Sequence, residues 1–117
     1  MVNQTIENVR EDFLRSRKVL QAVGDETRQN IILALMESPC HIGMRVGEIT
    51  ARTHLSRPAV SHHLKILKEA KVVDMRKEGT MNFYSINLQD GISVIIQLSD
   101  NLKNYIKNIT LIDKEND

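Results

Sequence analysis

Aromatic residues are scarce in this sequence, which has no tryptophan, two phenylalanines and two tyrosines among 117 residues. A core must therefore be aliphatic, and the 41% share of hydrophobic residues allows one small domain. A single cysteine excludes an internal disulfide and fits a reducing compartment. Because no apolar run is long enough to span a membrane and no signal peptide is recognisable, we expect a cytoplasmic protein without a membrane partner.

A large net charge is also absent, since the formal value is only +1. The charges are nevertheless unevenly distributed. Residues 45–79 carry eight Lys or Arg and four Asp or Glu, whereas the segments on either side are slightly acidic. This local excess of +4 is typical of a surface that binds phosphates, although ordinary solvated surface charge would look similar.

Motifs for enzymatic chemistry are missing as well. The sequence has no glycine-rich phosphate loop and no nucleophile–base motif, so we do not expect an enzyme or a cofactor. Cys40 is followed by His41, but catalytic pairs of this kind normally come from separate segments of the chain.

The segment 46–70 contains the strongest local pattern, two short helices joined by a tight break at residues 53–55. Ser56 is a good N-cap, and Pro58 is tolerated in the first turn of the second helix. Apolar residues at helical spacing then predict one buried stripe, at Val60, Leu64, Leu67 and Ala70. This arrangement is typical of a helix-turn-helix, in which the second helix enters the major groove of DNA.

The flanking segments predict a hairpin and two longer helices. Residues 72–76 and 81–86 have strand character, and Gly79 supplies the positive φ of the turn between them. Helices are expected over residues 6–23 and 88–109, with a disordered polar tail at 110–117. The apolar residues of the last helix cover more than one face, which indicates that a partner covers part of it.

Three segments resemble the ArsR/SmtB family of winged helix-turn-helix repressors in the same order and spacing. L-S-R-P-A-V-S-H-H-L-K-I-L-K-E-A-K-V-V resembles the recognition helix, E-G-T-M-N-F-Y-S-I resembles the wing, and L-Q-A-V-G-D-E-T-R-Q-N-I-I-L-A-L resembles an upstream helical segment. The resemblance implies a mainly α domain over residues 1–117, with about five helices, a helix-turn-helix at 45–71 and a two-stranded wing at 72–86. It also implies a homodimer joined through residues 6–23 and 88–109 that represses transcription at a palindromic operator in double-stranded DNA.

The residues expected to contact DNA lie on the polar face of the second helix and in the wing. Base edges are assigned to Arg57, Pro58, Ser61 and His62, with Arg57 placed to make a bidentate contact with guanine. Phosphate contacts are assigned to Ser56, Lys65, Lys68, Arg76, Lys77 and Thr80. Two further residues, His63 and Arg28, are expected to make structural contacts inside the protein.

The inducer stays unknown at this stage. The family's metal sites use a C-x-C motif in the supporting helix or Asp/His pairs in the last helix, and this sequence has neither, so we expect no metal. Cys40 leaves open a redox-responsive repressor, although an inert thiol is the simpler interpretation. A winged-helix protein-interaction module without DNA specificity is the other alternative, and the near-neutral net charge is its only support.

Overall fold

The computed structural model describes the backbone of residues 2–116 and the side chains of residues 4–111, 113 and 114. This part of the chain forms five helices and one two-stranded antiparallel sheet, as the sequence predicted. In chain order the elements are α1 (Val2–Val23), α2 (Glu26–Leu35), α3 (Val46–Thr53), α4 (Arg57–Glu69), β1 (Val73–Glu78), β2 (Met81–Ile86) and α5 (Gly91–Asn116).

Predicted caps fix the starts of the middle helices. The Asp25 carboxylate accepts a hydrogen bond from the backbone N–H of Arg28 at 2.9 Å, and the Ser56 hydroxyl accepts one from the N–H of Ala59 at 3.3 Å. Helix α3 ends at Thr53, and the next residue, His54, adopts a left-handed conformation with φ of 60°. Only three residues therefore separate α3 from α4, so these helices form a helix-turn-helix.

The core lies between this pair of helices, α2 and the base of the sheet. It is aliphatic, as the composition required, and most of its side chains are almost completely buried. Burial of each large aliphatic side chain is worth about 1.5–3 kcal/mol, which explains why a domain without tryptophan can hold together. The largest members of this cluster are Ile31, Leu35, Met44, Ile49, Leu64 and Leu67.

The wing is a hairpin whose register runs from Val73 opposite Ile86 to Glu78 opposite Met81. Its strand β1 continues two residues beyond the predicted end, so the connection is a two-residue turn at Gly79 and Thr80. Gly79 has a φ of 61°, as predicted. Two hydrogen bonds between the backbones of Met44 and Tyr84, at 2.7 and 2.8 Å, attach β2 to the segment before α3.

The two terminal helices differ from the predicted bounds. Helix α1 begins at Val2 instead of residue 6, and α5 covers Gly91–Asn116 instead of 88–109. Residues 88–90 are excluded from α5 because the Asn87 side chain accepts hydrogen bonds from the N–H groups of Gln89 and Asp90, which forms a turn. The predicted disordered tail is instead helical as far as residue 116, and Asp117 lies outside the described residues.

Polar contacts between α1 and α5 help to explain why both helices are long. The buried carboxylate of Asp12 accepts a hydrogen bond from the Asn101 side chain, and the Asn108 amide donates to the Thr5 hydroxyl at 3.1 Å. Polar residues on the facing sides of the two long helices thus have partners on the neighbouring helix.

The paired helices make the molecule elongated. It measures 62 × 25 × 22 Å, and its radius of gyration is 18.2 Å, compared with about 13 Å for a compact domain of this length. In the described part of the chain, no helix combines the length and the apolar character needed to cross a membrane.

Candidate nucleic-acid interface

Helix α4 separates apolar and polar residues onto opposite faces. Val60, Leu64 and Leu67 are buried against α2 and α3, as the predicted stripe required. All the side chains of α4 that the sequence assigned to DNA are exposed, and they are Arg57, Pro58, Ser61, His62, Lys65 and Lys68. The acid on this helix is Glu69, at its last position, so the exposed face is basic along most of its length.

The two adjacent histidines of α4 have different surroundings. The ring of His62 is exposed, whereas that of His63 is half-buried, and the two rings meet edge to face at 5.5 Å. Nδ1 of His63 lies 3.3 Å from Nη1 of Arg28, at hydrogen-bond distance. The prediction that His63 turns toward the protein is therefore confirmed, and His62 is left free for an external contact.

Arg28 fixes α4 to the junction of α1 and α2. Its Nε donates to the carbonyl of Ala22 at 2.7 Å, and its Nη2 donates to the carbonyl of Gln21 at 3.2 Å. The Arg28 backbone N–H lowers the pKa of the Asp25 carboxyl below its ordinary value, and the positive charge of the Arg28 guanidinium lowers it further. These contacts confirm the structural role predicted for Arg28, which holds the exposed face of α4 in a defined orientation.

The wing tip exposes Lys77 and Thr80, as expected, but Arg76 is directed elsewhere. Arg76 lies within β1, and its guanidinium donates to the carbonyls of His41 and Ile42 at 3.2 and 3.0 Å. The same group pairs with Glu78 at 2.9 Å and lies over the ring of Phe83, 5.0 Å from its centre. Because these donors already have partners inside the protein, we reassign Arg76 from phosphate contact to positioning the wing.

Arg57 also has an unexpected direction. Its guanidinium lies beside the start of α3, where a methyl group on Gly47 would come within 3.0 Å of Nη2. There it borders a cleft of about 440 Å³ between α3, the start of α4 and the wing. The cleft is lined by Arg45, Val46, Gly47, Glu48, Arg57, Thr80 and Asn82.

Two residues of this cleft, Arg45 and Asn82, were not among the candidates that the sequence offered for DNA contact. Arg45 directly precedes α3, and a basic residue beside the first helix of a helix-turn-helix is a signal that could have identified it. Asn82 lies opposite Lys77 in the wing, and this pairing depends on the register of the hairpin.

Cys40 lies away from this face, in the connection between α2 and α3, and its thiol is exposed and free. Among the residues whose side chains are described, no three His, Cys, Asp or Glu are arranged to hold a metal ion.

Comparison with known proteins agrees with this geometry. Residues 25–74 match the family model described as "Bacterial regulatory protein, arsR family". The chain is also 40% identical over 92 residues to an uncharacterized HTH-type transcriptional regulator of Methanocaldococcus jannaschii, covering 79% of this chain and 99% of the relative. The chain belongs to the ArsR family.

Other members of the ArsR family resemble the chain over somewhat shorter spans. It is 37% identical to the transcriptional repressor SdpR of Bacillus subtilis over 64% of this chain and 82% of that protein. The solved structure of HlyU from Vibrio cholerae superposes with a TM-score of 0.58 at 27% identity, covering 71% of this chain and 87% of that one. The protein is therefore a DNA-binding transcriptional regulator with a winged helix-turn-helix, and its relatives are regulators, not enzymes.

Proposed function

We propose that the protein is a cytoplasmic homodimeric repressor that binds a palindromic operator in double-stranded DNA. The observation that carries this proposal is the exposed basic face of α4, held in place through Arg28 and His63 and lying beside the wing tip. A helix with this orientation fits the major groove, and the wing is placed to reach the neighbouring minor groove or its phosphates.

The chemistry of the exposed side chains suggests how the DNA contacts are divided. Pro58, Ser61 and His62 lie on the first turns of α4, where the hydroxyl and the imidazole can bond to base edges and the proline ring can pack on a thymine methyl group. We assign the phosphate contacts to the N-cap, the later turns of α4 and the wing tip. These residues are Ser56, Lys65, Lys68, Lys77 and Thr80. Arg57 belongs to the same interface.

The homodimer is supported by apolar side chains that α1 and α5 leave exposed. Phe13, Leu14, Ile96 and Ile106 are 45–62% exposed, although each belongs to one of these two long helices. Exposed apolar surface of this kind on an elongated molecule favours a second copy as the partner. A two-fold dimer would place two α4 helices about one turn of DNA apart, which requires an operator with two inverted half-sites.

Binding of the purified protein to DNA upstream of its own gene, measured across a salt series, tests the proposal. If the operator lies elsewhere in the genome, a selection from random genomic fragments would identify it. We expect affinity to fall steeply with salt because phosphate contacts release counterions. The double variant Arg57→Ala/His62→Ala should lose this binding.

A matched control removes the same residue types outside the interface. Arg52 pairs with Glu37 at 2.7 Å, and His41 is exposed in the loop beyond α2, so Arg52→Ala/His41→Ala should bind like the wild type. Weak binding that is equal for every DNA sequence and equal in both double variants would instead support a protein-interaction module.

A further inference from the structure

We propose that Arg45 and Arg57 form a seat for one DNA phosphate in the cleft between α3, α4 and the wing. Arg57 then contributes to affinity and fixes the register of the protein on DNA, whereas Pro58, Ser61 and His62 determine the sequence preference. This inference rests on the proposed DNA binding, and it replaces the bidentate guanine contact that the sequence suggested for Arg57.

The cleft has the charge and the donors that a phosphate requires. Arg45 and Arg57 line it together with one acidic residue, Glu48. The carboxylate of Glu48 accepts a hydrogen bond from the backbone N–H of Arg45 at 3.3 Å, so this acid is engaged in capping α3. The start of α3 adds the positive end of a helix dipole, and from the wing Thr80 offers a hydroxyl and Asn82 an amide.

The position of the cleft matches the path of a single sugar–phosphate strand. When α4 occupies a major groove and the wing reaches the adjacent minor groove, one backbone strand separates the two elements. The cleft lies between the start of α4 and the wing tip, so it faces that strand. Phosphates bound at such a point fix the register of the protein on DNA without carrying sequence information.

Gly47 leaves space for the Arg57 guanidinium beside α3. Nη2 of Arg57 occupies space that a β-carbon on Gly47 would crowd to 3.0 Å. An arginine that contacts guanine must extend from the helix into the groove, whereas this one lies sideways against α3. The absence of a side chain at Gly47 thus favours the phosphate position over the base position.

The test compares Arg57→Ala, Arg45→Ala and His62→Ala on the operator and on a scrambled duplex across a salt series. Each neutralised phosphate contributes about 0.9 to the slope of log K against log salt. At 0.1 M salt, loss of one such phosphate contact corresponds to about an eightfold loss of affinity. We expect each arginine variant to lose several-fold in affinity on both duplexes, and the double variant Arg45→Ala/Arg57→Ala to lose about the full factor and to reduce the slope by about 1. His62→Ala should weaken operator binding selectively. Arg52→Ala is the control for loss of a positive charge on the same supporting helix.

Gly47→Ala gives a second test that leaves the charge unchanged. Alanine favours the helix and meets only the flexible end of Arg57, so the fold should be retained while the guanidinium is displaced. We expect a several-fold loss of affinity that is equal on both duplexes, and wild-type affinity in this variant would overturn the inference.

The inference and the proposed function fail in different ways. If Arg57→Ala weakens only the operator complex and leaves the salt slope unchanged, Arg57 contacts a base and the phosphate seat is wrong, while DNA binding by the protein stands. If the wild type shows no salt-dependent binding to any DNA, both are wrong.

Discussion

One step along α4 separates an exposed histidine from one that contacts the interior of the protein. His62 is exposed on the basic face, whereas His63, at the next position, reaches the guanidinium of Arg28. Successive residues of a helix are rotated by about 100°, so neighbours of the same type can face different surroundings. The pair therefore offers a comparison in which residue type is constant and only direction differs.

We predict opposite effects for alanine at these two positions. His62→Ala should cost about 1–3 kcal/mol in operator binding and relax the sequence preference, because a base contact is lost. His63→Ala should lower the free energy of unfolding by about 0.5–1.5 kcal/mol through loss of the Arg28 contact and leave the sequence preference unchanged. Urea unfolding and binding titrations separate the two, and a stability loss in His62→Ala with intact binding would reverse the assignment.

Residue spacing predicted which side chains are exposed, but it could not predict the direction of long side chains such as arginine. Arg76 and Arg57 both looked like free cations in the sequence. The carbonyls of His41 and Ile42 that bind Arg76 come from more than thirty residues earlier, and the space at Gly47 comes from a different helix. Such directions depend on tertiary contacts, which local pattern does not contain.

Among the elements, the helices with side-chain caps were predicted best. Asp25 and Ser56 satisfy the first N–H groups of α2 and α4 locally, so their starts followed from the sequence. The start of α5 did not follow from the sequence, because it depends on the turn at Asn87 and on contact with Lys71, just after α4.

Contact between the start of α5 and the two residues that follow the last turn of α4, Ala70 and Lys71, requires Gly91. Its backbone N–H donates to the carbonyl of Lys71 at 3.0 Å, and a β-carbon there would lie only 2.7 Å from the same oxygen. Lys71 itself has a φ of 60°, in the left-handed region, which turns this carbonyl toward α5. The end of α4 and the start of α5 are therefore closer than any side chain at position 91 would allow.

We predict that Gly91→Ala destabilises the fold by about 1–3 kcal/mol, since α5 must move away from α4 to relieve the overlap. Gly47→Ala is the matched control, because the same methyl group there meets only a flexible arginine. Urea unfolding checks both variants, and equal stability of the two would contradict the close contact at Gly91.

Across the whole molecule, the prominent feature is the long pair α1 and α5 beside a small core. The sequence indicated that α5 needs a partner, because its apolar residues cover more than one face. In the structure, α1 covers part of that surface and leaves large apolar side chains exposed on both helices. The remaining apolar surface is where we expect the second subunit.

We predict that Ile106→Glu converts the proposed dimer into monomers and weakens operator binding to that of a single half-site. Ile106 is 62% exposed in one chain, and a charge there would be tolerated unless another subunit buries it. Leu33→Glu is the control, because Leu33 of α2 is 60% exposed but lies outside the helix pair. Sedimentation velocity measures the mass, and an unchanged mass in Ile106→Glu would argue against this interface.

Because aromatic residues are scarce, the intrinsic fluorescence of the protein can report on individual regions of the fold. Without tryptophan, its near-ultraviolet fluorescence comes from two tyrosines, and they lie in different functional regions. Tyr84 joins β2 of the wing to the segment before α3, and Tyr105 lies in α5. Replacing either tyrosine with phenylalanine leaves a single emitter, so a change at the wing on DNA addition can be distinguished from a change in the long helices without an added dye.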